Sequence, residues 1–166
     1  VSGFGGYKRQ YGTAFVIDDV AYICCGDNNG TLVDDLWKFD GSDWKQLRDI
    51  ANNDSDEDYD DDYAITRAGT VSFVIDGRGY IATGTRSGVT SDYWVYDPEE
   101  DLWYGDSDDD YTPMTNVHNV SSGGSSRSYA VSFSTGKRGF VLSGSSGTSY
   151  FDDVYELLPY EQEDVD

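Results

Sequence analysis

The sequence predicts an all-β fold in which one unit of four antiparallel strands is used three times. Short β-branched and aromatic runs bounded by Gly, Asp and Pro, such as Val71 to Ile75, Tyr80 to Thr83 and Asp92 to Tyr96, have the signature of strands and turns. Gly (19) and Tyr (14) are plentiful while Met is scarce (1), a composition that suits twisted β-structure, and no stretch has helical periodicity. A common ruler also repeats. Arg9 and Gly26, Arg67 and Gly84, and Arg127 and Gly144 each stand 17 residues apart without a gap, and the leading arginines stand 58 and 60 residues apart. Asp35, Asp92 and Asp153 then align, each followed by an alternating pair: Trp37 and Phe39, Trp94 and Tyr96, or the weaker Tyr155 and Leu157. Self-similarity at this period marks a solenoid, a propeller or an array of supersecondary units.

In the first unit (9–50), Gly12 to Ile17 and Ala21 to Cys25 are expected as strands joined by a turn at Asp18-Asp19. Trp37 and Phe39 fall on one face of a third strand, and Trp44 belongs to a fourth. The strands read as nearly continuous apolar runs, as expected where both faces of a sheet are covered. The second unit (67–104) is the best specified. Asp76-Gly77-Arg78-Gly79 turns between its first two strands, Asp97-Pro98 closes the third, and a fourth begins at Leu102-Trp103. With a neighbour on each side, this unit should be the most buried of the three. The third (127–160) follows the ruler but lacks the Trp and the Asp-Pro. The acidic connection 51–63, the acidic and Ser/Gly-rich connection 105–126 and the acidic tail 161–166 separate or follow the units within a single segment, 1–166.

Charge sets outer limits on function. There are 32 acidic against 11 basic residues, for a net charge of −21. Such a surface repels phosphate backbones and anionic lipid, which argues against nucleic acid as a partner, attracts cations and favours solubility. No run approaches the roughly 20 apolar residues of a membrane-spanning helix. Cys24 and Cys25 are adjacent in an expected strand, so their side chains should point to opposite faces as buried free thiols. The chain opens at Val1 with neither an initiator Met nor a secretory segment, as expected of a processed form or a piece of a longer protein.

The pattern Arg-x-x-(small/apolar)-x-x-Phe, then Gly-Tyr/Phe-(Ile/Val)-x-x-Gly, then Asp-x-Trp-x-Tyr-Asp-Pro, then Trp, resembles the kelch repeat, and most closely the divergent kelch-like repeats of bacterial exported and envelope proteins. The best copy runs from Arg67 through Gly79 to Gly84, Asp92 to Pro98 and Trp103. The first copy departs at Ala21, where Gly79 and Gly139 stand in the others, and single glycines (Gly26, Gly84, Gly144) replace the usual pair. The resemblance implies kelch-like β-propeller blades: three four-stranded antiparallel blades, half of a six-bladed propeller, with additional blades from another chain or from the rest of a longer protein. It also implies secretion or residence in the cell envelope, whether periplasm or cell surface.

Three sets of residues are candidates for a site. Arg9, Arg67 and Arg127 each precede a first strand. A ring of guanidinium groups at a channel mouth can bind carboxylate or sulfate, whereas the structural alternative pairs each Arg with an Asp of a neighbouring blade or caps buried carbonyls. Asp54, Asp56, Asp58 and Asp60, and separately Asp106, Asp108 and Asp110, offer alternate carboxylates to Ca²⁺, although neither run completes an EF-hand. Calcium is the one cofactor these runs suggest; the alternative is a solvated acidic loop. Tyr59, Tyr63, Tyr104 and Tyr111 can form a platform for a sugar or a protein, or pack back on the sheet edge. Catalysis has little to stand on. His118 is the only histidine, and no GxSxG elbow is present. The expected function is a non-enzymatic binding or assembly module whose loops recognise a protein or glycan partner. The alternative is a carbohydrate-active epimerase or lyase acting on an acidic sugar at a channel mouth.

Overall fold

The computed structural model describes residues 3–51, 64–105 and 125–157. The first unit holds β1 (Thr13–Ile17), β2 (Val20–Cys24), β5 (Trp37–Phe39) and β6 (Trp44–Gln46) in one antiparallel sheet ordered β1-β2-β5-β6, with β3 (Asp27–Asn28) and β4 (Thr31–Leu32) as a separate two-stranded ribbon. The second unit holds β7 (Val71–Ile75), β8 (Arg78–Thr85), β9 (Val89–Asp97) and β10 (Leu102–Gly105) in one sheet, ordered as in the chain. In the third, β11 (Val131–Ser134), β12 (Gly139–Leu142) and β15 (Val154–Leu157) form a three-stranded sheet, beside a ribbon of β13 (Ser145–Ser146) and β14 (Ser149–Tyr150). In the second unit the ribbon is absorbed into the sheet: β8 and β9 run on past an irregularity between Ala82 and Gly84 to pair Thr85 with Val89.

The protein is therefore all-β, but the propeller expectation is corrected. The described residues form five small antiparallel sheets, none closed and none curled as propeller blades require, and the third main sheet has three strands rather than four. The kelch assignment and the half-ring fall with that geometry. The reason is physical. A repeated ruler fixes strand order within a unit, because hairpins form between sequence neighbours. It does not fix the angle between successive units, on which curl and closure depend.

Local chemistry accounts for the hairpins. Asp18 (φ 49) and Asp19 (φ 65) occupy the first turn, and Asp76 (φ 49) and Gly77 (φ 77) the equivalent turn of the second unit. Left-handed conformation at both central positions gives a tight two-residue hairpin, and Asp and Gly tolerate it best. A second left-handed pair recurs at the same place on the ruler, just past the end of β2, at the irregularity inside β8 and just past the end of β12: Cys25 and Gly26, Thr83 and Gly84, Ser143 and Gly144.

The main sheets pack face to face through their apolar sides. Phe15, Ile17, Tyr22 and Cys24 of the first meet Ile81, Tyr96 and Trp103 of the second in one buried cluster. Val71, Phe73, Tyr80, Tyr93 and Val95 on the opposite side of the second sheet meet Val141 and Leu157 of the third. Polar links repeat along the stack. Ser72 Oγ donates to Ala14 O (2.8 Å) and Ser132 Oγ to Ser72 O (2.7 Å). Gly26 N–H donates to Arg67 O (2.8 Å) and Gly84 N–H to Arg127 O (2.7 Å). The middle sheet is buried on both faces, with β8 covered along all but its ends.

Candidate functional site

The three leading arginines are built alike. Arg67 is fully buried. Its Nη1 and Nη2 donate to Asp92 Oδ1 (2.9 Å) and Oδ2 (2.8 Å), its Nε to Ile65 O (2.9 Å), and its Nη groups also to Ala64 O (2.9 Å) and Thr83 O (3.0 Å). Arg127 repeats this with Asp153 (2.5 and 3.0 Å), Ser125 O and Ser143 O, and its guanidinium lies over Phe151 and Tyr155. Arg9 reaches Asp35 (2.5 Å), Tyr7 O and Cys25 O. The carboxylates are held in turn, since Trp37 Nε1 donates to Asp35 (2.8 Å) and Trp94 Nε1 to Asp92 (3.2 Å).

Each guanidinium thus spans its own unit. It ties the segment before the first strand to the carbonyl of the recurring left-handed residue (Cys25, Thr83, Ser143) and to the Asp just before the next main strand (Asp35, Asp153) or within it (Asp92). A planar fork with fixed donors suits this task, and a lysine could not perform it. All five N–H donors of Arg67 meet protein acceptors, which leaves none open to an anionic ligand, and among the described residues four of the five donors of Arg127 do so. The Asp partners come from the same unit as the Arg, not from a neighbour.

Burial pushes the Asp92 carboxyl up. The hydrogen bonds and charge of Arg67, with bonds from Thr90 and Trp94, outweigh this and hold it below the usual carboxylate range. The bonds from Arg127 do the same for Asp153. A carboxyl depressed on folding adds stability that is present above its unfolded pKa, about 3.9, and is lost as pH falls through the lower folded value. In urea melts at a series of pH values, the stability gap between the native chain and Asp92→Asn is expected to stay constant above about pH 5 and to shrink below about pH 4. A gap unchanged down to pH 2 would remove the ionic part of the clamp.

The remaining sequence candidates fall in two places. Tyr104 lies in β10, buried, with its hydroxyl donating to Glu100, so it packs into the second sheet rather than into a loop. Tyr59, Tyr63, Tyr111, His118 and the seven aspartates Asp54, Asp56, Asp58, Asp60, Asp106, Asp108 and Asp110 lie outside the described residues. Among the described residues, no three His, Cys, Asp or Glu side chains gather as a metal site would need, and no helix is long and apolar enough to cross a membrane. Cys24 and Cys25 are buried free thiols.

Among the described residues one apolar face lies open, in keeping with the sequence expectation that the third unit needs a further surface beside it. On the outer face of the third sheet, Val131 (57%), Phe133 (50%) and Val154 (60%) are exposed, whereas their counterparts in the middle sheet, Val71 (5%), Phe73 (4%) and Tyr93 (1%), are buried. The pairing register aligns Leu142 with both Val131 and Val154, and Phe140 with Phe133, so these side chains share one face. Tyr129 (57%) is also exposed, but its ring lies over Gly69 and edge-on to Tyr11 at 5.3 Å, against the preceding units. The signal was present in the ruler, where Phe15, Phe73 and Phe133 hold the same place, but reading it required knowing that units stack through that side.

No family model matches the chain, and no curated protein matches it.

Proposed function

We propose that the chain is a non-enzymatic binding and assembly module that engages a protein partner. The supporting observation is the outer face of the third sheet, where apolar side chains that are buried in the preceding unit stand half exposed. Contiguous apolar surface of this kind marks interaction sites, and aromatic side chains anchor them. Arg67 and Arg127, candidates for gripping an acidic sugar, bind carboxylates of their own units.

The test uses the intact chain and a Val131→Lys/Phe133→Lys variant. Both positions are exposed, so the two proteins should melt within a few degrees of each other. The expected results are no turnover of acidic oligosaccharides or polysaccharides, and a set of proteins retained by the native chain but absent from the variant. Turnover abolished by a single carboxylate substitution would overturn the reading, as would identical retention by both proteins.

A further inference from the structure

Successive units lock together by three repeated devices, and the third unit displays its half of each without a counterpart among the described residues. The first is a backbone bond: Gly26 N–H and Gly84 N–H reach the Arg carbonyl of the following unit, while Gly144 N–H, at the same place, has no such acceptor among the described residues. The second is a hydroxyl. Ser72 donates to the Ala14 carbonyl and Ser132 to the Ser72 carbonyl, so the Ser132 carbonyl is next in the series. The third is a ring seated on a glycine. A Cβ on Gly79 would lie 2.7 Å from Phe15 Cδ2 and Cζ, and one on Gly139 would press as closely on Phe73. Phe133 is the next ring in the series, and it is half exposed.

We infer that the outer face of the third sheet docks a partner β-sheet of this same repeat type. The partner would present a glycine beneath Phe133, a hydroxyl to the Ser132 carbonyl and a backbone carbonyl to Gly144 N–H. The inference rests on the binding role proposed above and names the partner for it. It continues an interface the protein already makes twice, at the same register and with the same donors.

The first unit of another copy does not meet this specification. Ala21 stands where Gly79 and Gly139 stand, so its methyl would meet the incoming Phe133 ring. Ala14 stands where Ser72 and Ser132 stand, so the hydroxyl is missing. Phe4 also lies against Trp44 (4.8 Å) and Trp37 (5.5 Å), on the side a preceding unit would cover. The chain is thus built against stacking head to tail with itself. Such contacts are heterologous and would grow into open filaments.

These mismatches supply the test, because the missing features can be installed. In sedimentation at up to about 100 µM, the native chain is expected to remain a monomer of 18.4 kDa. The variant Phe4→Ala/Ala14→Ser/Ala21→Gly is expected to form a concentration-dependent series of oligomers. Adding Phe133→Ala should weaken that association at least about tenfold, and amide exchange at Gly144 should slow on association. If the triple variant does not fold, Ala14→Ser/Ala21→Gly carries the same test. A folded variant that stays monomeric overturns the inference, as does association that leaves Gly144 unprotected. Self-association of the native chain that Phe133→Ala abolishes also overturns it, by giving the face to a second copy. Retention of a protein partner through Val131 and Phe133, alongside a monomeric variant, would keep the binding role and remove only this partner.

Discussion

Truncating Asp92 to alanine is expected to destabilise the protein by about 3–5 kcal/mol, and more than replacing its partner by Arg67→Met. The order follows from where each charge sits. The Arg67 side chain is 0% exposed, whereas that of Asp92 is 32% exposed. Removing the carboxylate strands a guanidinium that water cannot reach, with only carbonyl dipoles and the Thr90 hydroxyl around it. Removing the guanidinium leaves a carboxylate that water can partly solvate, while methionine fills the volume. It also frees the Thr83, Ile65 and Ala64 carbonyls, for which about 2 kcal/mol is a reasonable total. The surface pair Lys137–Asp76 (2.6 Å), whose lysine is 79% exposed, is the control: Lys137→Ala should cost less than about 1 kcal/mol. Urea denaturation of the four proteins at pH 7 checks the order. Equal losses for Asp92→Ala and Lys137→Ala would mean that the clamps do not hold the units, and the case for arginines committed to structure would fail.

The Arg–Asp repetition was legible in the sequence because both residues recur on the ruler, but the choice of partner was not. A spacing of 25 or 26 residues from Arg to Asp is equally compatible with a bond inside a unit and a bond between neighbours. The left-handed residue that recurs on the ruler turns its carbonyl to the arginine, and it varies among Cys, Thr and Ser, so no residue type announced it. Strands such as Val71–Ile75 were legible from their apolar runs and bounding turns. The short ribbons at Asp27–Asn28 with Thr31–Leu32, and at Ser145–Ser146 with Ser149–Tyr150, were not, because strands of two residues are too short to carry a periodicity. Curvature was illegible for a deeper reason. It depends on how Phe15 seats on Gly79 and Phe73 on Gly139, which are contacts between units far apart in sequence. The resemblance to a known repeat supplied a curvature that the sheets do not have.

Gly79→Ala is expected to cost about 1–3 kcal/mol, the range for forcing a methyl into a packed core. Its Cβ would lie 2.7 Å from Phe15 Cδ2 and Cζ, and nearer still to Cε2. Phe15 has little room to yield. It is 4% exposed, stacked on Tyr22 at 5.3 Å and edge-on to Trp103. Gly88→Ala, where an added Cβ meets nothing within 4 Å and the backbone is not left-handed, should change stability by less than about 0.5 kcal/mol. If the clash with Phe15 is the cause, Phe15→Leu in the Gly79→Ala background should cost less than the same change in the native chain, a coupling that a double-mutant cycle reads directly. The Phe series then separates interfaces that are made from the one left open. Phe15→Ala and Phe73→Ala should each cost about 3–5 kcal/mol, since both rings are buried against the next sheet. Phe133→Ala, half exposed at the same place on the ruler, should cost about 1 kcal/mol or less. Equal losses at all three positions would mean that Phe133 is already covered in solution, and the outer face of the third sheet would no longer be free to receive a partner.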